Sequence, residues 1–124
     1  MSDRESRRAA GLTVREQVVG KERVRSSFKD APEIARPLQE LATDFAWGEI
    51  WTRDGLSRRD RSIITIGMLI ALNKPEELKV HLRGGINNGL SSDELREIVI
   101  HSAIYAGFPA ALSAMQILIS VVEG

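Results

Sequence analysis

The segment EELKVHLRGGINNGL, residues 76–90, places a histidine and an arginine two positions apart. A histidine titrates near neutral pH and can deliver a proton, whereas an arginine fork matches the two oxygens of a carboxylate. On a helix, His81 shares a face with Leu78 and Gly85, while Arg83 lies about 200° further round. We therefore expect His81 on the core side, as a structural histidine or a proton donor. Arg83 faces elsewhere and could meet an anion or a neighbouring subunit.

Two glycines follow this pair, and each costs a helix up to about 1 kcal/mol relative to alanine. Gly84 and Gly85 therefore predict either the close approach of another helix or access for a ligand. The next polar residues, Asn87 and Asn88, are expected to cap the helix, with binding of polar groups as the alternative.

A second histidine, His101, lies among apolar residues with Glu97 one turn before it and Tyr105 one turn after it. It is expected to be a structural histidine, with proton transfer as the alternative. Trp47, Glu49 and Trp51 form an aromatic cluster with a carboxylate, predicted to pack in a core or to wall a pocket.

A basic run stands at a predicted helix start, where positive charge opposes the helix dipole. It consists of Arg58, Arg59 and Arg61. Such runs are usually solvated, and the alternative is that this one receives an anion.

Composition excludes several classes of function. The chain has no cysteine, which removes disulfides, thiolate metal sites and thiol catalysis, and its two histidines lack metal-ligand spacing. Its formal net charge is +0, so neither nucleic acid nor an anionic membrane surface is an expected partner. No apolar run reaches the length of a membrane span, no phosphate loop is present, and the N-terminus is unlike a signal peptide. A cytoplasmic protein is expected.

Capping residues divide the chain into helices, and no strand-like alternation is present. The sequence therefore predicts an all-α fold of about six helices, with residues 1–10 a flexible N-terminus and residues 11–124 a single domain. The predicted helices begin near Thr13, Pro37, Ser57, Asn73, Ser91 and Pro109.

Two apolar runs, residues 62–72 and 110–122, contain more hydrophobic surface than one small core needs. The first is apolar all round and is expected to be fully buried. Burial of the excess between copies predicts a homo-oligomer.

The stretch from Phe45 to Ala111 resembles the carboxymuconolactone decarboxylase family. The resemblance is carried by WGE at 47–49, GLSRRDRS at 55–62, HLR at 81–83, NGL at 88–90 and the segment 101–110. It implies an alkylhydroperoxidase D-like helical fold assembled as a trimer or hexamer.

Peroxidase relatives within this fold carry Cys-x-x-Cys-x-x-x-His and an acidic residue earlier in the chain. The corresponding positions here hold Lys74, Glu77 and Ser62, and only His81 matches. A peroxidase role is therefore not expected.

The resemblance implies cofactor-free decarboxylation of 4-carboxymuconolactone to 3-oxoadipate enol-lactone, in protocatechuate degradation. The expected partner is thus a small dicarboxylate lactone, and neither metal nor organic cofactor is expected. The candidate catalytic residues are His81, Glu49 and His101, and the candidate substrate-binding residues are Arg83, Arg61, Trp47, Trp51 and Tyr105.

Two alternatives remain open from the sequence. One is another cofactor-free lyase or isomerase that acts on a different carboxylated lactone or ring. The other is a non-enzymatic helical oligomerisation module in which His81 and His101 are merely buried.

Overall fold

The computed structural model describes residues 2–124, and every regular element in that range is helical. The predicted all-α class is confirmed, with more elements than the six expected. The α-helices are α1 Asp3–Val19, α2 Lys21–Phe28, α3 Arg36–Leu41, α4 Arg58–Ala71, α5 Pro75–Asn87, α6 Ser92–Ala106 and α7 Phe108–Val122. A 3-10 turn, Glu33–Ala35, precedes α3, and a π-helical segment, Ala42–Ile50, follows it.

The chain divides into two compact units, the first ending at Leu56 and the second beginning at Ser57. The first contains α1 to α3 with the π-helical segment, and the second contains α4 to α7. The single domain expected for residues 11–124 stays a prediction, and each unit is described by itself.

Helix α1 begins ten residues before the predicted start at Thr13. The Ser2 side chain accepts a hydrogen bond from the Glu5 amide at 3.1 Å, which caps the helix at Asp3. The Thr13 hydroxyl donates to the Ala9 carbonyl, as an interior residue does. Positions 3–10 of the segment expected to be flexible are therefore helical. Its flexibility stays a prediction, and Met1 lies outside the described residues.

Gly20 ends α1 where the sequence predicted one continuous helix to Phe28. Its φ of 91° lies in the left-handed region that glycine tolerates, and α2 starts immediately after it. The prediction of a single helix from Thr13 to Phe28 is wrong because this backbone conformation cannot continue an α-helix.

Helix α1 lies against the π-helical segment through two glycines. A Cβ atom on Gly11 would overlap the carbonyl oxygen of Thr43, and a Cβ atom on Gly48 would overlap that of Arg7. Backbone therefore meets backbone at both points, beside a small core of Val14, Val18 and Trp47. Any larger residue at either glycine must push the two elements apart.

A buried carboxylate, Asp44, adds an ionic contact between the same elements. Arg8 pairs with it through Nε and through Nη2, the latter at 3.0 Å, and Arg4 Nε lies 3.3 Å away. Arg8 also reaches Glu40 at 3.1 Å. The hydrogen bond from Arg8 holds the pKa of Asp44 below its usual value, against the opposing effect of burial.

The second unit surrounds an apolar core in which Ile66, Leu82 and Leu95 are fully buried. Ser57 and Ser91 cap α4 and α6 as predicted, and Ser91 forms a complete capping box with Glu94. The expectation that residues 62–72 are fully buried is wrong for the single chain. Only one face of α4 meets the core, and its opposite side remains exposed at Ile64, Met68 and Leu72.

Replacing Gly48 by alanine should destabilise the first unit by about 1–3 kcal/mol, because the added methyl collides with backbone that cannot rotate away. Gly55→Ala is the matched control, since a Cβ atom there meets nothing within 4 Å. Urea unfolding followed by circular dichroism gives both values. Equal stability of the two variants would contradict the close approach.

The Asp44 contact should make stability depend on pH in a defined direction. Because the folded-state pKa is depressed, the contribution is present above the unfolded carboxyl pKa, about 3.9, and is lost as pH falls through the lower folded value. Asp44→Asn should therefore cost about 1–3 kcal/mol at pH 7 and progressively less in acid. Urea unfolding at several pH values measures this, with the exposed Asp54→Asn as control. A pH-independent cost would show that charge plays no part.

Candidate active site

Helix α5 carries the histidine and arginine that the sequence singles out. Pro75 occupies its first turn, and its apolar face buries Leu78, Leu82 and Gly85. His81 is half-buried beside this face, while Arg83 is exposed. The helical spacing thus gives the two side chains different surroundings, the histidine at the edge of the core and the arginine in solvent.

The space around Gly85 explains why this helix contains a glycine there. A Cβ atom would lie 3.0 Å from Leu90 Cδ1 and 3.2 Å from Ile66 Cδ1. Gly85 therefore serves the close approach of core side chains, the first of the two explanations expected for the glycine pair.

Arg61 on α4 and His81 on α5 are both half-buried. Each places one nitrogen, Arg61 Nε and His81 Nδ1, where water does not reach and where it makes no hydrogen bond to the described residues. Each residue has another interaction, so neither side chain is free. Both are held at the edge of the core instead of extending as solvated side chains.

Asn88 joins the end of α5 to the start of α4, a role beyond the capping expected of it. Its Nδ2 donates to Ser62 Oγ at 2.8 Å, and the Arg58 carbonyl lies 3.4 Å away. Ser62 is fully buried and directly follows Arg61. The sequence signal for this tether is a lone serine at the start of an apolar run, and it gives no indication of the partner.

The basic run at the start of α4 is not uniform. Arg59 forms an ion pair with Glu94 of α6, so its charge is already compensated. The hypothesis that the whole run receives an anion is therefore wrong for Arg59, while Arg61 stays a candidate.

His101 and Tyr105 lie one turn apart on α6, and their ring centroids are 5.3 Å apart with the planes tilted by 39°. Both are exposed, because Leu95, Val99 and Ser102 occupy the buried face of this helix. The expectation that His101 is a buried structural histidine is therefore wrong. Its proposed catalytic role and the binding role of Tyr105 stay predictions.

Trp47 and Trp51 stack in the first unit, with centroids 4.8 Å apart and an interplanar angle of 27°. Trp47 is buried against Val14 and Val18, so core packing accounts for it, while Trp51 is half-buried and Glu49 is exposed. The expected pairing of Glu49 with His81 stays a prediction. The structure thus brings together Trp47 with Trp51, and His101 with Tyr105, each within its own unit.

Two searches of residues 2–124 gave negative results. No group of three or more histidine, cysteine, aspartate or glutamate side chains in that range is arranged to hold a metal ion. No helix among those residues combines the length and apolar character that crossing a bilayer requires.

Comparisons with known proteins place these residues in context. Residues 36–119, which include every candidate site residue, match the carboxymuconolactone decarboxylase family. The chain is 43% identical over 111 residues to 4-carboxymuconolactone decarboxylase of Acinetobacter baylyi, covering 90% of this chain and 83% of that protein. It is 45% identical over 105 residues to nitrosuccinic acid decarboxylase of Metarhizium robertsii, covering 85% of this chain and 73% of that protein.

Proposed function

The chain belongs to the carboxymuconolactone decarboxylase family, and from this premise we propose that it is a carboxy-lyase acting on 4-carboxymuconolactone. The observation that carries the proposal is the 43% identity to the Acinetobacter enzyme over 90% of this chain. The proposed product is 3-oxoadipate enol-lactone, formed in the cytoplasm during degradation of aromatic compounds.

The substrate supplies its own electron sink, so the reaction requires no cofactor. When the ring carboxylate leaves as CO2, the electron pair of the broken C–C bond passes through the ring double bond to the lactone carbonyl. A proton is then added to the ring carbon beside that carbonyl, which gives the enol-lactone. The protein must hold the anionic substrate, stabilise the oxyanion and deliver one proton to carbon.

His81 is the proposed proton donor. It lies half-buried at the edge of the core, where partial exclusion of water favours proton transfer to a held substrate over exchange with solvent. Its place on the ordered helix α5 limits its motion. Glu49 is the proposed partner that orients the imidazole, and His101 is the alternative donor.

Arginines suit the carboxylates, because a guanidinium forms two parallel charge-assisted hydrogen bonds. Arg83 is exposed on α5, and Arg61 is held beside the Ser62–Asn88 hydrogen bond. We assign Arg83 to clamp a substrate carboxylate and Arg61 to assist it. Trp47, Trp51 and Tyr105 are the proposed walls of the pocket.

A second candidate function follows from the fungal relative, which is 45% identical and named for nitrosuccinic acid. A nitro group on the carbon that loses CO2 can take up the electron pair as a nitronate, as the lactone carbonyl does in the first proposal. Nitrosuccinate is also a dicarboxylate, so the same arginine and histidine roles would serve. The two candidates differ in shape, since one substrate is a ring and the other an open chain.

The test of function incubates purified protein with 4-carboxymuconolactone and, separately, nitrosuccinate, and follows ultraviolet absorbance and CO2 release. We expect turnover of the lactone and little of the nitro compound. Preference for nitrosuccinate would select the second candidate. No turnover of either would favour another carboxylated substrate or a non-enzymatic helical module.

His81→Gln should lower kcat by about 10²–10⁴-fold without changing the melting temperature, because it removes a general acid. The second histidine provides the matched control, His101→Gln, which should retain activity. If His81→Gln keeps more than about a tenth of kcat, the assignment is wrong, and His101 inherits the role only if its own substitution causes the loss. Arg83→Ala in the same assay should lower kcat/KM by roughly 10- to 150-fold, mainly through KM.

A homo-oligomer, trimeric or hexameric, is part of the same proposal. Helices α6 and α7 form an apolar groove of about 290 Å³ lined by Ile100, Ile104, Phe108 and Leu112. Ile104 is 72% exposed and Phe108 is 68% exposed, a large apolar area for one chain to leave in water. Packing against another copy would bury it.

Sedimentation at micromolar concentration should show an assembled parent protein. Ile104→Glu should shift it toward monomer, because a charge would be buried in the proposed interface. Lys74→Glu, at an exposed site outside the groove, should leave the assembly intact. A parent that sediments as a folded monomer would refute the proposal.

A further inference from the structure

A groove of about 430 Å³ lies in the first unit, where α1, α2 and α3 meet. Its apolar lining consists of Leu12, Val24 and Phe28. None of the candidate catalytic or substrate-binding residues lines it. The volume falls within the range of small-molecule sites, about 300–1,000 Å³. We call this feature the basic groove, for the charges on its walls.

Positive charge outnumbers negative charge around the basic groove, with five arginine or lysine side chains against two carboxylates. One of the carboxylates, Glu40, is already bound by Arg8, which also binds Asp44. Lys21 and Lys29 are exposed, and neither forms an ion pair with any residue in the range 2–124. The walls therefore present uncompensated positive charge above an apolar floor.

A buried cation behind the groove adds to this potential. Arg15 donates to two neutral oxygens, Thr43 Oγ1 at 2.9 Å and Gln39 Oε1 at 2.8 Å. Its guanidinium carbon lies 5.8 Å from the ring centroid of Phe28, which lines the groove. Burial, with a further effect from Arg23, lowers the pKa of Arg15, as expected of a cation without a nearby counter-charge.

We propose that the basic groove binds a small amphipathic carboxylate, with its apolar body on Leu12, Val24 and Phe28 and its carboxylate toward Lys21 and Lys29. A neutral apolar ligand would leave the positive charges uncompensated, and a highly polar anion would gain nothing from the floor. The combination selects a ligand that has both parts. This site is separate from the proposed decarboxylation and does not depend on it.

Isothermal titration with benzoate, and with benzamide as its neutral counterpart, tests the chemical class. Benzoate should bind measurably at low salt and more weakly at about 0.5 M salt, where the screening length falls to a few ångströms. Benzamide should bind much more weakly. Absence of benzoate binding, or equal binding of benzamide, would overturn the proposal.

Two charge reversals locate the binding site. Lys29→Glu should weaken benzoate binding by roughly three- to tenfold, the effect of reversing one exposed charge near an anion. Lys74→Glu makes the same charge change away from the groove and should have no effect. Equal effects of the two reversals would show that the groove is not the site.

The proposed active site could also take up benzoate, so Arg83→Ala is titrated alongside. Binding that is lost in Arg83→Ala and unchanged in Lys29→Glu would assign benzoate to the active site and overturn the groove proposal. Binding lost in Lys29→Glu supports the groove whether or not the protein decarboxylates either substrate. The two proposals therefore fail separately.

Discussion

The packing of one face of helix α5 into the apolar core fixes the geometry of the second unit. Leu78, Leu82 and Gly85 occupy that face, and Ile66 and Leu90 lie close enough to Gly85 to leave no room for a larger residue. Once this face is set, helix geometry assigns His81 to the edge of the core and Arg83 to solvent. The chemical character of each residue follows from its position on the helix.

The arginines of this chain fall into groups that composition alone does not separate. Arg8 and Arg59 are bound by carboxylates and hold elements together. Arg15 is buried among neutral acceptors, and Arg83 is exposed. With a formal net charge of +0, the chain carries local excesses of positive charge that its overall balance conceals. Local pairing, more than the overall charge, determines which cations remain available to an anionic ligand.

Local signals predicted much of the fold, and non-local ones explain what was missed. The caps at Ser57 and Ser91 are short-range hydrogen bonds that a sequence shows directly. The exposure of His101 depends on which residues of α6 meet the core, and the tether from Asn88 to Ser62 joins positions 26 residues apart. Such contacts are set by packing. The candidate residues themselves came from the family resemblance more than from any pattern of spacing.

The π-helical segment has a consequence for how this chain can change in length. Its wider turn, seen in the bond from the Trp51 amide to the Ala46 carbonyl at 2.9 Å, accommodates extra residues within a continuous helix. Loss of one residue there would favour ordinary α-helical winding and rotate the following side chains by about 100°. The register of Trp47, Glu49 and Trp51 would then shift together. Insertions and deletions between Ala42 and Ile50 are thus restricted by direction as well as by space.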